Sequence, residues 1–227
     1  MQKKKKIGLF GGTFDPVHLG HIKGALRVKK KFALDKIIFI PAAIPPHKQP
    51  STITNAKKRL DMLHIAIGNY PYFEASDIEI KRDGISYSID TINYFISKYQ
   101  KAALFFITGF DAFIELHTWK SYKKLLDLIQ FIVMARASAS RSDPEAMKTE
   151  ISNYLKKKIN SEYKFCKSQN AYIHPKKKRV LFADILLADI SSTNIRSAIK
   201  KGEDITGVAT EKIADYIKKN RLYLNAV

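Results

Sequence analysis

The sequence predicts an α/β fold in which a doubly wound parallel sheet is covered by helices on both faces. Short apolar runs alternate along the chain with segments whose apolar residues recur at helical spacing. Continuous apolar strands separated by helices indicate a parallel sheet that is buried on both faces. The length of 227 residues suits one domain with a single good core.

The predicted elements follow this alternation from the N-terminus. Strands are expected at Lys6–Phe10, Lys36–Ile40, Tyr72–Ile80, Ala102–Ile107, Gln130–Ala135 and Val180–Ala183. Helices are expected at Leu19–Phe32, Asn55–Ile67, Ser88–Tyr99, Thr193–Lys200 and Glu211–Lys219. The order is that of a Rossmann-like fold, in which ligands bind beyond the carboxyl ends of the strands, near the switch point.

One segment interrupts the alternation. Ala137–Lys178 opens with the polar stretch ASASRSDPEAMK and continues with a lysine-rich amphipathic pattern. We interpret it as an insertion or a lid-like excursion, helical from Pro144, within a single domain that spans residues 1–227.

The charge of the chain favours anionic ligands. Forty Lys and Arg residues against 21 Asp and Glu residues give a net charge of +19. Either nucleic acid or phosphorylated small molecules would be attracted by such a field. The lysine runs are scattered and are not interleaved with aromatic residues as a stacking platform would be, so a nucleic-acid partner is disfavoured.

Composition also bears on the compartment. No apolar stretch approaches the roughly 20 residues that a membrane span needs, so no membrane association is expected. The apolar run after the first lysines covers only Ile7–Phe10, which is too short for a secretory core. Cys166 is the only cysteine, so no disulfide can form within the chain, and a cytoplasmic enzyme is expected. The sequence does not decide between a monomer and a homo-oligomer.

The segment GGTFDPVHLGHI after the first predicted strand carries candidate functional residues. Gly11 and Gly12 let the backbone approach a ligand closely, and Thr13 offers a hydroxyl and an amide. His18 and His21 lie three apart at the start of a helix and share one face, where the helix dipole favours an anion. This suits phosphate chemistry. A zinc pair, which would need further ligands, and two surface histidines stay open as alternatives.

This segment resembles the (T/S)FDPxHxGH signature of the nucleotidylyltransferase superfamily, in which the HxGH pair contacts the phosphates of a nucleoside triphosphate. Near the C-terminus, ISSTNIR (Ile190–Arg196) resembles the ISSTxIR motif of the same superfamily. There, Ser192 and Thr193 would cap the next helix, whose N–H groups and Arg196 would hold the β- and γ-phosphates. Two matches in the right order indicate a member of this superfamily.

The segments between these motifs resemble bacterial nicotinate-nucleotide adenylyltransferases. They are PAAIPPHK (Pro41–Lys48), EIKRDGISYSIDTI (Glu79–Ile92) and FFITGFDAFIELHTW (Phe105–Trp119). The resemblance implies that Lys48 meets the 5′-phosphate of the mononucleotide, with Thr13 on the other side of the site. It also implies that the Trp119 ring stacks on nicotinate while neighbouring backbone amides take its carboxylate.

The resemblance thus assigns two sets of site residues. The ATP-binding set is Gly11, Gly12, Thr13, His18, His21, Gly109, Asp111, Arg136, Ser192, Thr193 and Arg196, of which His18, His21 and Arg196 are the catalytic members. The mononucleotide-binding set is Thr13, Phe14, Lys48, Tyr87, Ser88, Thr91, Trp119 and Lys120. Structural alternatives stay open for three of them, with Lys48 as a surface lysine, Trp119 as a packing residue and Asp111 as a helix cap.

The sequence departs from the family pattern at a few positions. Ser88 stands where the family usually has threonine, which leaves recognition by backbone amides intact. Lys120 stands where the family often has an aromatic or basic residue. The stretch GVATEKIADYI (Gly207–Ile217) lacks the proline that usually precedes the last helix of the family. The resemblance is weakest over Ala137–Lys178.

The implied activity is the transfer of AMP from ATP to nicotinate mononucleotide, which gives deamido-NAD and pyrophosphate in NAD biosynthesis. Mg²⁺ is the expected cofactor, held mainly by substrate phosphates and water rather than by protein side chains. The alternatives within the superfamily are nicotinamide mononucleotide, another phosphorylated acceptor such as phosphopantetheine, or cytidylyl transfer. A basic nucleic-acid-binding protein with a vestigial nucleotide site is the alternative from a different class, supported only by the net charge of +19.

Overall fold

A single eight-stranded sheet organises the computed structural model, which describes residues 4–46, 49–135, 143–185 and 190–224. The strands are β1 (Lys6–Gly12), β2 (Lys36–Pro41), β3 (Phe73–Ala75), β4 (Ala103–Gly109), β5 (Gln130–Met134), β6 (Lys164–Cys166), β7 (Ala171–Ile173) and β8 (Val180–Ala183). Their spatial order is β3-β2-β1-β4-β5-β8-β7-β6. The order reverses between β1 and β4, which is the switch point of a doubly wound fold.

Six of the strands, from β3 to β8 in spatial order, are parallel, as the sequence predicts. The doubly wound parallel sheet is thus confirmed, and the structure adds an antiparallel edge to it: β7 pairs antiparallel with both β6 and β8. The connections explain the difference. The link between β6 and β7 is short: it consists of one 3₁₀ turn, Lys167–Gln169, and of Asn170, which is in the left-handed region. A parallel pair of strands would need a long crossover connection.

The helices match the predicted helical segments to within a few residues and add short ones. They are α1 (Leu19–Phe32), α2 (Ala56–Ile67), α3 (Ile78–Lys81), α4 (Ser88–Lys98), α5 (Phe110–Phe113), α6 (Tyr122–Leu128), α7 (Pro144–Tyr154), α8 (Ser192–Lys200) and α9 (Glu211–Lys219). The strand expected over Tyr72–Ile80 was too long, because its second half turns into α3. None of the helices in the described residues has both the length and the apolar character needed to cross a membrane.

Helices cover both faces of the sheet, which confirms the predicted layers. Side chains of α1, α2, α8 and α9 form one apolar cluster with one face of the sheet. Side chains of α4, α6 and α7 form a second cluster with the other face. Leu9 and Phe10, which are neighbours in β1, belong to different clusters, as the alternation of side chains along a strand requires.

The segment predicted to be an insertion or lid-like excursion contributes to the sheet and its core where it is described, over residues 143–178. Asp143 caps α7 by accepting a hydrogen bond from the Glu145 amide, so the helix begins at Pro144, as expected. Met147 and Ile151 are buried in the second apolar cluster, and the chain then supplies β6 and β7. Residues 137–142 lie outside the described part of the chain.

Candidate active site

Two adjoining cavities open at the carboxyl ends of β1 and β4, beside the switch point. The larger, of about 570 Å³, is lined by Trp119 and Tyr87, and we refer to it as the tryptophan cavity. The smaller, of about 210 Å³, is lined by His18 and His21 and is here the histidine cavity. They share four lining residues, namely Gly11, Gly12, Thr108 and Ala112. Two ligands could therefore meet across this common wall.

The two histidines stand together at the start of α1. His18 is the N-cap residue, with extended backbone angles, and its ring centroid lies 3.7 Å from that of His21. The His18 backbone N–H donates to His21 Nδ1 over 3.3 Å. Because Nδ1 accepts this bond, a neutral His21 carries its proton on Nε2, where it can serve as a donor.

Gly20 is required by the packing of the His18 ring. A Cβ atom at Gly20 would lie 2.9 Å from His18 Nδ1 and 3.0 Å from His18 Cε1. Carbon contacts this short do not occur without movement, so any side chain at Gly20 would displace the ring. This close packing explains why the residue between the two histidines, Gly20, is a glycine.

Phe14 supports the histidine pair. Its backbone is in the left-handed region, with a φ of 51°, and its buried ring contacts His21 edge-on at a centroid distance of 5.0 Å. The sequence assigned Phe14 to the mononucleotide set. The structure places it in the wall of the histidine cavity instead. Gly12 leaves room for this ring, since a Cβ at Gly12 would lie 3.0 Å from Phe14 Cζ.

The second motif docks on the first through α8. Arg196 Nη1 donates to the Asp15 carbonyl over 2.8 Å, and the Ser192 hydroxyl donates to the Pro16 carbonyl over 3.0 Å. The predicted cap was wrong by one residue. The chain is still extended at Ser191, whose hydroxyl accepts from the Asn194 N–H, so Ser191 is the N-cap and Ser192 is left for docking.

The Asp15 side chain holds in place the loop between β1 and α1, residues 13–18, which we call the motif loop. Its carboxylate accepts from the Tyr223 hydroxyl over 2.7 Å and from the Thr54 amide over 3.3 Å. Burial raises the pKa of Tyr223, so this hydroxyl stays a donor. In the described residues no three His, Cys, Asp or Glu side chains are grouped to hold a metal ion, which leaves the zinc alternative for the histidines without support there.

Arg59, on α2, is a functional candidate that sequence reasoning missed. Its side chain is fully buried and donates to three backbone carbonyls, those of Thr13, Ala43 and Thr54, over 2.7, 3.1 and 2.7 Å. It therefore ties the motif loop after β1 to the loop after β2. A signal was present: Arg59 lies on the buried helix face of Met62 and Leu63, at positions i+3 and i+4.

A buried polar network forms one wall of the tryptophan cavity. The Thr91 hydroxyl donates to Glu79 Oε1 over 2.5 Å, and Arg82 donates to Thr91 Oγ1 over 3.2 Å. The Ser86 hydroxyl oxygen accepts from the Ala43 amide over 2.8 Å. Burial raises the pKa of Glu79, although hydrogen bonds and nearby arginines oppose the shift. The network explains why the segment Glu79–Ile92 carries these residue types.

The N-terminus of α4 opens on the tryptophan cavity. Tyr87 is the N-cap residue and Ser88 the first helical residue, and both line the cavity together with Thr91. The first N–H groups of a helix have no acceptor inside it and favour a negative charge. Lys120 stands at the same wall, with Nζ 4.2 Å from the Tyr87 ring centroid and 4.0 Å from Asp90 Oδ2. This wall of the cavity therefore combines a helix N-terminus with a lysine that lies beside an aspartate.

Trp119 and Thr13, two members of the predicted mononucleotide-binding set, lie in the wall of one cavity. Both line the tryptophan cavity, and the half-buried Trp119 ring contacts Phe106 edge-on, with centroids 6.0 Å apart. Gly109 lines the histidine cavity. Asp111 is exposed in the first turn of α5 and is not among the residues that line either cavity.

Four further predicted residues either line neither cavity or fall outside the described residues. Arg196 and its neighbour Thr193 line neither of the two cavities, and Arg196 borders a third one. Lys48 and Arg136 fall outside the described residues, so their predicted roles stay predictions.

The fold and these cavities define the class of protein: an α/β fold in which a cavity beside the paired histidines adjoins a second cavity lined by Trp119, at the carboxyl ends of the parallel strands. Comparisons with known proteins place the chain more closely. A sequence model of the family described as cytidylyltransferase-like matches residues 9–198. A protein of Desulfatibacillum aliphaticivorans is 38% identical over 221 residues, which cover 96% of this chain and 100% of that protein. One from Clostridium novyi is 38% identical over 96% of this chain and 99% of its own length.

Both relatives carry the name "Probable nicotinate-nucleotide adenylyltransferase". The chain therefore belongs to the cytidylyltransferase-like family of nucleotidyltransferases, among the nicotinate-nucleotide adenylyltransferases. The fold agrees with that of a solved Plasmodium falciparum nicotinic acid mononucleotide adenylyltransferase complexed with NaAD. The TM-score is 0.69 at 18% identity, over 96% of this chain and 97% of that one.

Proposed function

We propose that the protein transfers AMP from ATP to nicotinate mononucleotide, giving deamido-NAD and pyrophosphate in NAD biosynthesis. The observation that carries this proposal is the wall that the two cavities share, built by Gly11, Gly12, Thr108 and Ala112. A triphosphate beside the histidines and a mononucleotide beside Trp119 can meet there. The single cysteine, Cys166, suits a cytoplasmic setting for the reaction.

The reaction needs positioning more than acid–base chemistry. A phosphate oxygen of the mononucleotide attacks the α-phosphorus of ATP, and the bond from that phosphorus to the bridging α,β-oxygen breaks. The electron pair leaves with pyrophosphate. The attacking group is already an anion near neutral pH, so no strong base is required. Holding two polyanions in line and stabilising the charge of the transferred group supply the catalysis.

The histidine pair serves as a donor platform for the phosphates. His21 presents Nε2–H because its Nδ1 accepts from the His18 amide, and Gly20 lets the His18 ring lie against the helix. The packing behind His21, supplied by Phe14, keeps the imidazole from rotating away. Donors fixed in this manner lose little entropy when a phosphate binds.

The tryptophan cavity suits an aromatic acid. The Trp119 ring offers a stacking surface, and the N-terminus of α4 at Tyr87 and Ser88 offers N–H groups to a carboxylate. Lys120 adds a positive charge at the same wall. An amide in place of the carboxylate would lose both electrostatic contributions.

Mg²⁺ is expected to accompany ATP. In the described residues no carboxylate cluster is arranged to hold a metal ion, so phosphate oxygens and water would be its main ligands. When bound, it would neutralise part of the charge of the triphosphate.

A pyrophosphate-release assay with ATP and Mg²⁺ tests the proposal on a panel of acceptors. We expect release with nicotinate mononucleotide and much less with nicotinamide mononucleotide or phosphopantetheine. Equal release with the amide would contradict the acid-selective cavity but preserve the chemistry. Release with neither mononucleotide would overturn the acceptor assignment, and a preference for CTP over ATP would overturn the assignment of the nucleotide.

A further inference from the structure

The turn that precedes Trp119 is attached to α7 through the side chain of Tyr154. This turn is a short 3₁₀ helix, Leu116–Thr118, and Trp119 follows it with an extended backbone. Tyr154 is the last residue of α7. We propose that Tyr154 is a positioning residue, which holds the Trp119 ring in place at the tryptophan cavity and thereby sets the affinity for the acceptor.

The Tyr154 hydroxyl contacts His117, the middle residue of the turn, at two atoms. The His117 backbone N–H donates to this hydroxyl over 2.8 Å, and His117 Nδ1 lies 3.1 Å from it. The two rings also contact each other, with centroids 5.7 Å apart. A hydroxyl can accept one hydrogen bond and donate another, so both contacts are satisfied when Nδ1 is the unprotonated ring nitrogen.

The packing of α7 gives the Tyr154 side chain a rigid support. Ile151 and Leu155, on either side of it in the chain, are buried in the second apolar cluster. The Tyr154 ring packs edge-on against the buried Phe113, with centroids 6.1 Å apart. Burial is also the main reason that the pKa of Tyr154 is raised to about 12, so its hydroxyl keeps the proton near neutral pH.

The turn gains from this external attachment because hydrogen bonds within it do not fix where it lies. The Trp119 N–H donates to the Leu116 carbonyl and the Thr118 N–H to the Glu115 carbonyl, both over 2.9 Å. Burial of Leu116 anchors one end of the turn, and Tyr154 holds its middle. The half-buried Trp119 ring is thereby ordered before a ligand arrives, and an ordered ring loses less entropy when a ligand stacks on it.

Tyr154 lies outside both sequence motifs and lines neither of the two cavities. It belongs to the segment Ala137–Lys178, which interrupts the alternation of strands and helices in the sequence. Its positioning role therefore gives this segment a part in recognition of the acceptor. The role rests on the proposed function, since it assumes that the acceptor stacks on Trp119.

The fluorescence of Trp119 tests the positioning role directly, because it is the only tryptophan of the chain. Time-resolved anisotropy of the full chain without substrates, excited where tyrosine does not absorb, compares Tyr154→Phe with Tyr163→Phe. The control also removes one hydroxyl that is bonded to a backbone group, since Tyr163 donates to the Lys178 carbonyl over 2.9 Å. We expect the fast motion of the Trp119 ring to increase in Tyr154→Phe and not in the control. Equal anisotropy decays in the two variants would overturn the positioning role.

A titration with nicotinate mononucleotide, followed by quenching of the same fluorescence, measures the effect on the acceptor. We expect Tyr154→Phe to bind it roughly three- to tenfold more weakly than the control, which corresponds to the loss of one net hydrogen bond. The KM for the mononucleotide should rise by the same factor, while kcat and the KM for ATP change little. Equal affinities in the two variants, with equal losses of stability in urea, would show that the hydroxyl is merely structural.

Failure of the proposed function would be visible separately. Absence of quenching by nicotinate mononucleotide in the wild-type protein would contradict the acceptor assignment, whereas the anisotropy of the free protein decides whether Tyr154 holds Trp119. Should Tyr154→Phe not fold, His117→Ala, an exposed change that removes one of the two contacts, is compared with Lys124→Ala. Increased motion of Trp119 in His117→Ala alone would support the positioning role, and equal motion in both would overturn it.

Discussion

At the scale of single residues, the candidate site depends on side chains that position other residues and take no direct part in the proposed reaction. Gly20 gives the His18 ring its place, and Phe14 packs behind His21. Arg59 joins the motif loop after β1 to the loop after β2 through the carbonyls of Thr13 and Ala43. Each can be tested by a change that separates packing from catalysis.

Gly20→Ala should lower turnover far more than it lowers stability. The helix preference for alanine over glycine, at most about 1 kcal/mol, offsets part of the cost of moving the buried His18 ring, so the melting temperature should change little. The new Cβ, 2.9 Å from His18 Nδ1, displaces the ring, and a misplacement near 1 Å can cost about 10²-fold in rate. Gly207→Ala is the control, since nothing lies within 4 Å of a Cβ there. Wild-type turnover in Gly20→Ala would refute the steric role.

Arg59→Lys should destabilise the protein even though it keeps the charge. One ammonium cannot reach three carbonyls in different loops, and each unsatisfied buried group costs about 1–3 kcal/mol. We expect the free energy of unfolding to fall by about 2–4 kcal/mol in urea titrations. Lys57→Met, on the exposed side of α2, should change it by less than about 0.5 kcal/mol. A small effect of Arg59→Lys would show that the three bonds do not hold the loops.

At the scale of elements, the network of Glu79, Thr91 and Arg82 joins α3 to α4 and shapes the tryptophan cavity. The buried carboxyl group of Glu79 makes the stability of the folded protein depend on pH. Burial raises the pKa of Glu79 from its ordinary value of 4.5. Between that value and the raised one, the folded state binds more protons than the unfolded state, so this contribution to stability decreases as pH rises.

Glu79→Gln should therefore remove the contribution of this carboxyl group to the pH dependence of the free energy of unfolding. Urea unfolding of both proteins, from pH 4.5 upward, gives the free energy of wild type relative to the variant. We expect that difference to decrease with rising pH and to level off above the raised pKa. The exposed Glu203→Gln serves as the control and should show no such trend. A difference that increases with pH would mean that the hydrogen bonds outweigh burial.

Sequence patterns were sufficient to predict some helices and strands but not others. Runs such as QFIVMA and the amphipathic helices were predictable because a strand or helix buried in a core has a characteristic period. The antiparallel edge was not, because short strands such as Lys164–Cys166 have little pattern and pair through turn geometry. For Arg59, helical spacing places the residue on the buried face of α2, but its three partners are backbone carbonyls of loops, and the spacing does not identify them.

At the scale of the whole molecule, the net charge of +19 should assist the capture of anionic substrates. Added salt screens this field, with a Debye length of about 10 Å at 0.1 M. We expect KM for ATP and for the mononucleotide to rise severalfold between low salt and about 0.3 M, while kcat changes little. Sucrose of equal osmolarity is the control. Salt-independent KM values would show that the net charge does not assist substrate capture.

The whole account rests on attack by the mononucleotide phosphate at the α-phosphorus of ATP, across the wall shared by the two cavities. The most direct measurement uses nicotinate mononucleotide with ¹⁸O in its phosphate, followed by mass spectrometry of the products. The account predicts that all label remains in deamido-NAD and that pyrophosphate is unlabelled. AMP together with a pyrophosphorylated mononucleotide, or no dinucleotide at all, would contradict it.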